Sequence, residues 1–364
     1  MSNGVQRRTA VPPPVRIRRD VANLSSSDRI LEFYERAIAR MKLDGLDNPV
    51  SWRYQGAIHG YPSDSTGRGI DERKFPARTG DPNQSPSDKF PGDANTFWDQ
   101  CEHGGWFFLS WHRMYIHFFE KIIMKIVANL LGGPKDWALP YWNVSTSQTS
   151  ALLPEPFRKP ADITNNLFVH QRSKRINDGK AFLDRNPDLT FDTSKPDTSL
   201  DCLKAKSFKG VQPAFGGPPL SFHFPVDSGT LENAPHNAVH NQFGTFVNDK
   251  GRVESSFMFI PETAALDPIF WLHHSNIDRL WEVWIQRQKQ LLRLDRNPKD
   301  SDQDPDSKIW LDSGLNKGDL EGKFNFHDEN GKAITITSRE VLDTRQPPLS
   351  YEYDDISDPF NGAP

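Results

Sequence analysis

The chain has 364 residues, with 44 Lys and Arg against 48 Asp and Glu, 36% hydrophobic and 11% aromatic residues, and two cysteines. A length of this order allows one large domain or two and supports a core without staples. The balanced charge excludes a generally basic nucleic-acid binder, and two cysteines exclude a disulfide framework or a Cys-rich metal site. No run of 18 apolar residues is present to span a membrane.

The short basic cluster at residues 16–19 reads as a solvated tail, and residues 1–19 lack the apolar stretch of a secretory signal, which points to a cytoplasmic location. Ser25-Ser26-Ser27-Asp28 then signals a helix start. Ile30, Leu31, Tyr34, Ile38 and Met41 follow at helical spacing, and Asp44-Gly45 ends the run. A second short helix is expected over 51–58. Residues 61–91, rich in Gly, Pro, Asp and Ser, read as a surface loop.

A long helix is predicted over 109–131, carrying Ile116, Phe119, Ile122, Ile123, Ile126, Val127 and Leu130, and Gly132-Gly133-Pro134 stops it. Residues 145–230 are irregular, which suits functional elaboration rather than a second core. A short helix is expected over 235–243. Asp267-Pro268 opens another long helix, Asp as N-cap and Pro at the first helical position, with Ile269, Phe270, Leu272, Ile277, Leu280 and Trp284 along it. Phe324-Asn325-Phe326 and residues 333–337 alternate around Asn330-Gly331, which predicts a β-hairpin. The expectation is a mainly α fold in one domain over 1–364: a four-helix bundle core, long irregular loops and a small β-hairpin near the C-terminus.

The chemistry lies in the histidines. His236 and His240, four apart on a predicted helix, lie about 40° apart around its axis and share a face. His273 and His274 sit in the first two turns of the helix begun by Asp267-Pro268. His103 and His112 flank the start of the other long helix, and His59 ends the second short one. Two sets of histidines on core helices suit two metals facing each other inside a bundle. With few carboxylates beside them, neutral imidazoles suit copper best, with zinc also open. His117, about 140° around the helix from His112, stays outside the set. His170, His223 and His327 have no partner at metal spacing and read as ordinary polar or core residues.

Two longer stretches sharpen this. The segment from Trp106 to Tyr115, Trp-Phe-Phe-Leu-Ser-Trp-His-Arg-Met-Tyr, resembles the first copper motif of the tyrosinase and polyphenol oxidase family of type-3 copper proteins. The segment from Asp267 to Trp281, Asp-Pro-Ile-Phe-Trp-Leu-His-His-Ser-Asn-Ile-Asp-Arg-Leu-Trp, resembles the second. The resemblance covers roughly residues 15–355 and is weakest over 145–230.

The resemblance implies that His59, His103 and His112 hold one copper ion and that His236, His240 and His274 hold the other, His273 being a neighbouring core histidine. It implies a Cys101–His103 thioether, as in fungal-type members; a buried free thiol or a disulfide to Cys202 are the other readings. Glu232 matches a carboxylate that orients a water, and Asn237 a position where Asn accompanies phenol hydroxylation; the two would make that water basic enough to take the proton of an incoming monophenol. Glu232 also reads simply as a charge at a helix N-terminus.

Asn241 is expected at the entrance, Asp278 as a residue orienting a ligand ring, and residues 258–261 over the second copper. Tyr351-Glu352-Tyr353 resembles the tyrosine motif that closes the catalytic domain, packing near Arg16 or Arg18. No C-terminal shielding domain is expected after it. The implied reaction uses O2 to hydroxylate monophenols to o-diphenols and to oxidise these to o-quinones, acting on small phenolic substrates without nucleic acid or membrane partners. A catechol oxidase, a hemocyanin-like oxygen carrier and a zinc hydrolase are the competing readings.

Overall fold

A computed structural model describes residues 15–62, 94–147, 149–180, 197–210, 213–218, 228–248, 250–292 and 322–360. Nearly all of the expected 61–91 loop lies outside these residues, as does His223. The helices are α1 (Ile30–Met41), α2 (Trp52–His59), α3 (Ala94–Phe97), α4 (Phe107–Leu130), α5 (Lys174–Asn177), α6 (Ala238–Phe243), α7 (Pro261–Ala264) and α8 (Pro268–Leu292). The strands are β1 (Arg16–Arg18), β2 (Thr245–Val247), β3 (Val253–Ser255), β4 (Lys323–His327), β5 (Ala333–Thr337) and β6 (Tyr351–Tyr353), joined only in pairs.

Helix α1 buries Phe33, Tyr34, Ala37, Ile38 and Met41 along one stripe. It starts later than the Ser25 signal predicts. The Asp28 carboxylate accepts from the Ser25 backbone N–H at 2.7 Å and closes a single 3-10 turn, and Arg29 then sits at φ 52, a left-handed conformation through which a helix does not propagate. Ser51 caps α2 by accepting from the Tyr54 N–H at 3.2 Å. At the end of α4, Gly132 adopts φ 64 and the Gly133 N–H bonds the Val127 carbonyl at 2.9 Å, the closure expected of the Gly-Gly-Pro stop.

The core forms where α4 packs on α8 and α1 packs on α4, with α2 against α7. Aromatic rings fill it: Phe119 of α4 stacks on Trp271 of α8 at 3.5 Å between centroids, and Tyr115 lies 4.7 Å from the same indole. The Asp267 carboxylate caps α8 by accepting from the Ile269 N–H at 3.1 Å. It also takes two bonds from buried Arg172, at 2.7 and 2.6 Å. Arg172 donates besides to the Phe157 and Leu167 carbonyls, so the irregular region is tied to the start of α8.

The region over 145–230 does more than elaborate. Cys202, Leu203, Phe208 and Phe215 are buried against Ile277, Trp281 and Trp284 of α8, a second apolar cluster where none was expected. Isolated aromatics without periodicity fill this face. Gly216 permits it, since a Cβ there would meet the Phe208 ring at 2.8 Å.

Strands β4 and β5 form the predicted antiparallel hairpin, with Phe324 and Phe326 turned inward and Gly331 at φ 76 in its turn. Strand β1 pairs in parallel with β6, Arg16 beside Tyr351 and Arg18 beside Tyr353. This corrects the reading of residues 16–19 as a solvated tail: Arg16 and Arg18 point inward and are buried, while Ile17 faces out. The reason is charge, because Glu120 and Asp278 wait beneath the strand at 2.9–3.2 Å. No helix among the described residues is long and apolar enough to cross a membrane.

Candidate metal centre

Each candidate ligand is delivered by an element whose end or turn the sequence fixes. His59 is the last residue of α2, His112 lies in the second turn of α4, and Cys101 and His103 come from the loop between α3 and α4. Ala234 is extended (φ −147, ψ 127), as a residue ahead of proline tends to be. Pro235 then starts the turn that carries His236, with His240 one turn on and its ring 4.6 Å from that of His236. Helix α8 contributes His273 and His274.

These side chains form two clusters. His59, Cys101, His103 and His112 make one, His236, His240, His273 and His274 the other, and within each the potential ligand atoms all lie within 4.8 Å of one another. The clusters meet face to face. The His112 and His274 rings stack at 4.2 Å and 9°, and His236 lies 6.2 Å from His112 and 6.4 Å from His103.

Backbone carbonyls, and one amide, set the tautomers. His59 Nδ1 donates to the Pro261 carbonyl at 2.7 Å, His112 Nδ1 to Phe108 at 2.8 Å and His240 Nδ1 to Met258 at 2.6 Å. His236 Nδ1 meets Asn237 Oδ1 at 3.0 Å. A neutral ring that donates through Nδ1 keeps its lone pair on Nε2, the form that binds a metal. Residues 258–261, expected over the second copper, thus supply carbonyls that orient one ring of each cluster.

Burial keeps the rings neutral. Loss of water, with the neighbouring imidazoles adding to it, holds His112, His236, His273 and His274 well below the ordinary 6.5, and desolvation lowers His240 to about 4. Nε2 of His236 and Nε2 of His274 are buried with no hydrogen-bond partner, a costly arrangement that a bound metal would relieve. The donor set is imidazole with one thiol and no carboxylate, which fits copper.

Around the clusters, Glu232 is buried and both its oxygens lie 2.8 Å from the Gly104 N–H. Burial pushes this carboxyl up to about 8, against the opposing pull of that N–H. Cys101 Sγ lies 3.6 Å from His103 Nε2 and 3.3 Å from His112 Nε2, and the two cysteines are not joined to each other. His103, His240, Asn237 and Asn241 are half-buried and mark the open side.

Asp278 sits elsewhere. Its oxygens are taken up by Arg113, Arg18, Tyr351 and Tyr353, so ring orientation falls to the carbonyls instead. His117 is buried near Glu120, and His327 packs 4.0 Å from Phe97; neither joins a cluster. Exposed His170 lies 6.0 Å from Phe246, outside both.

Sequence reasoning missed two rings. Phe108 lies 4.5 Å from His112 and 4.7 Å from His236, and Phe270 lies 4.2 Å from His274 and 4.9 Å from His59. Each phenylalanine precedes a histidine of its own helix by four residues, a spacing that puts both on one face and was visible in the sequence.

The family model for the common central domain of tyrosinase matches residues 49–287, which carry both clusters. The chain belongs to the tyrosinase family. The polyphenol oxidase middle-domain model matches residues 316–362. A tyrosinase from Hahella sp. (strain CCB-MM4) is 33% identical over 332 residues, 90% of this chain and 61% of the relative. A chloroplastic polyphenol oxidase of Malus domestica is 27% identical over 358 residues, 96% of this chain and 50% of the relative. The chain thus spans between half and two thirds of the length of these relatives. Among solved structures, latent apple tyrosinase aligns with a TM-score of 0.63 at 24% identity, over 97% of this chain and 66% of that one, which shows a shared fold. The cofactor of the tyrosinase family is a pair of copper ions, and the two clusters fit that pair.

Proposed function

We propose that this chain is a copper-dependent phenol oxidase that uses O2 to hydroxylate monophenols to o-diphenols and to oxidise o-diphenols to o-quinones. The observation that carries the reading is the pair of neutral imidazole clusters meeting at the His112–His274 stack and open on the side of His103 and His240. His59, His103 and His112 would hold one copper, and His236, His240 and His274 the other. His274 is preferred over His273 because its ring faces both clusters, while the ring neighbours of His273 are His236, His240 and His274, all in the second. When bound, the copper pair supplies the reduction of O2 with electrons drawn from the phenol.

The protein groups do the rest. Phe108 and Phe270, packed against rings of both clusters, keep water from them. Glu232, whose carboxyl ionises at about 8, receives the phenolic proton in its ionised form through a water. Asn237 commits its carbonyl oxygen to His236, which leaves its amide N–H groups as donors. The Cys101 sulfur, 3.6 Å from the His103 ring, supports a thioether that would lock that ligand. Forming it removes one hydrogen from the thiol and one from the ring, a two-electron oxidation with O2 as the acceptor, and intact-mass measurement reads the loss of two hydrogens. Residues 15–355 act as one catalytic unit in this reading, with small phenols and O2 as partners.

Replacing Asn237 by Gly is expected to lower turnover of a monophenol more than turnover of its catechol. Equal losses on both substrates would remove Asn237 as the hydroxylation determinant.

A further inference from the structure

Between α4 and α8, one turn from the stacked rings, lies a closed set of buried charges that the chemistry above does not use. Arg113 directly follows His112 on α4, and Asp278 follows His274 by one turn on α8. Arg113 Nε donates to Asp278 Oδ1 at 2.5 Å, its Nη2 to Glu282 at 2.7 Å and its Nη1 to the Val341 carbonyl at 3.0 Å. Its guanidinium lies 3.7 Å above the Trp281 ring. The other Asp278 oxygen accepts from the Tyr351 and Tyr353 hydroxyls at 2.6 and 2.5 Å and from Arg18 at 3.2 Å.

Arg18, lying 3.6 Å over the Tyr351 ring, also donates twice to Glu120, at 3.1 and 2.9 Å. Glu120 takes Arg16 and the Leu139 N–H as well. Burial pushes the Glu120 carboxyl up, but the two arginines outweigh this and hold it at about 2. Three arginines thus balance Glu120, Asp278 and Glu282.

We infer that this cluster fixes the separation of the two metal positions, with Arg113 and Asp278 as the positioning pair. Buried ion pairs add little stability over apolar packing of the same volume, so stability alone does not account for five buried charges with a half-buried sixth, Glu282. A planar guanidinium whose fork spends Nε on Asp278 and Nη2 on Glu282, two acceptors one turn apart on α8, holds one relative placement of the two helices, as an apolar contact does not. The fork joins α4 and α8 beside His112 and His274, whose rings stack at 4.2 Å across the two clusters. A slip of α4 along α8 would carry one cluster past the other. The inference rests on the two-copper reading above.

The test uses copper-loaded holoprotein: wild type, Asp278→Asn, Arg113→Lys and Arg287→Lys. Arg287 lies on α8 and forms a different buried pair, with Asp358 at 2.7 Å. Copper per chain, electron paramagnetic resonance of the Cu(II) form and thermal stability are measured on each. Two Cu(II) ions close enough to share a bridging ligand couple and give no signal. Wild type should bind two coppers and be silent. Asp278→Asn and Arg113→Lys should keep bound copper but show signal from the greater part of it, while Arg287→Lys loses stability and stays silent. Should Asp278→Asn not fold, Arg113→Lys, which keeps the charge and loses only the fork, decides alone. Silent two-copper forms of both clamp variants, destabilised like Arg287→Lys, would overturn the positioning role. A wild type that lacks two coupled coppers would instead overturn the two-copper reading, and the inference with it.

Discussion

The buried Glu232 carboxyl, facing the Gly104 N–H, keeps its proton until about pH 8, whereas in the unfolded chain it ionises near the ordinary 4.5. The fold therefore binds this proton more tightly than the unfolded chain does. The associated stability is complete below 4.5 and is lost as pH rises through about 8. The neutral histidines act in the opposite sense but only below 6.5, where the unfolded chain takes up protons that His240, at about 4, refuses. Denaturant unfolding of copper-free protein should show stability falling between pH 6.5 and 8, by at most about 1.4 kcal/mol per pH unit. Glu232→Gln should flatten that fall, and an unchanged slope would remove Glu232 as its source. At the same scale, His240→Ala should lose about one copper per chain and all turnover, while His273→Ala should keep both coppers. Metal analysis reads both outcomes, and loss of a copper on replacing His273 would reassign the ligand.

Individual elements carry these residues into place, and helix α8 shows how. Its start depends on Asp267, which both caps the helix and pairs with Arg172. Asp267→Ala would leave the Arg172 charge buried without a partner, a loss on the order of 3–5 kcal/mol, read by chemical denaturation. A loss under about 1 kcal/mol would mean that Arg172 finds another acceptor. The positions of α4 and α8 were legible because apolar spacing and terminators agree there: Gly-Gly-Pro after Leu131, Asp-Pro before Ile269. The start of α1 was less so, because Arg29 adopts a left-handed conformation that its residue type does not announce. The carbonyls of Pro261 and Met258 that orient the rings were not legible, since any residue offers a carbonyl and only the fold chooses which. Phe108 and Phe270 could have been found by the four-residue spacing to His112 and His274.

Across the whole molecule, the ends of the described chain meet. Strand β1 lies beside β6, and the inward arginines of one face the inward tyrosines of the other. Nothing local in residues 16–19 distinguishes a buried arginine from a solvated one. The difference is made by Glu120 and Asp278, far off in sequence and close only after α4 and α8 pack. The same holds for the second apolar cluster, where Phe208 and Phe215 gain meaning only against α8. The histidine pairs, by contrast, were legible because metal ligation demands particular residue types at particular spacings on helices.

On the reading proposed above, these two clusters form a copper site for oxidising phenols with O2. Oxygen uptake by the copper-loaded protein, with a simple monophenol and its matching catechol run side by side, tests it most directly. Uptake on both, each yielding quinone, is the predicted result. Uptake on the catechol alone would make the chain a catechol oxidase and contradict the role given to Glu232 and Asn237. No uptake on either substrate, with two coppers bound, would contradict the oxidase reading itself.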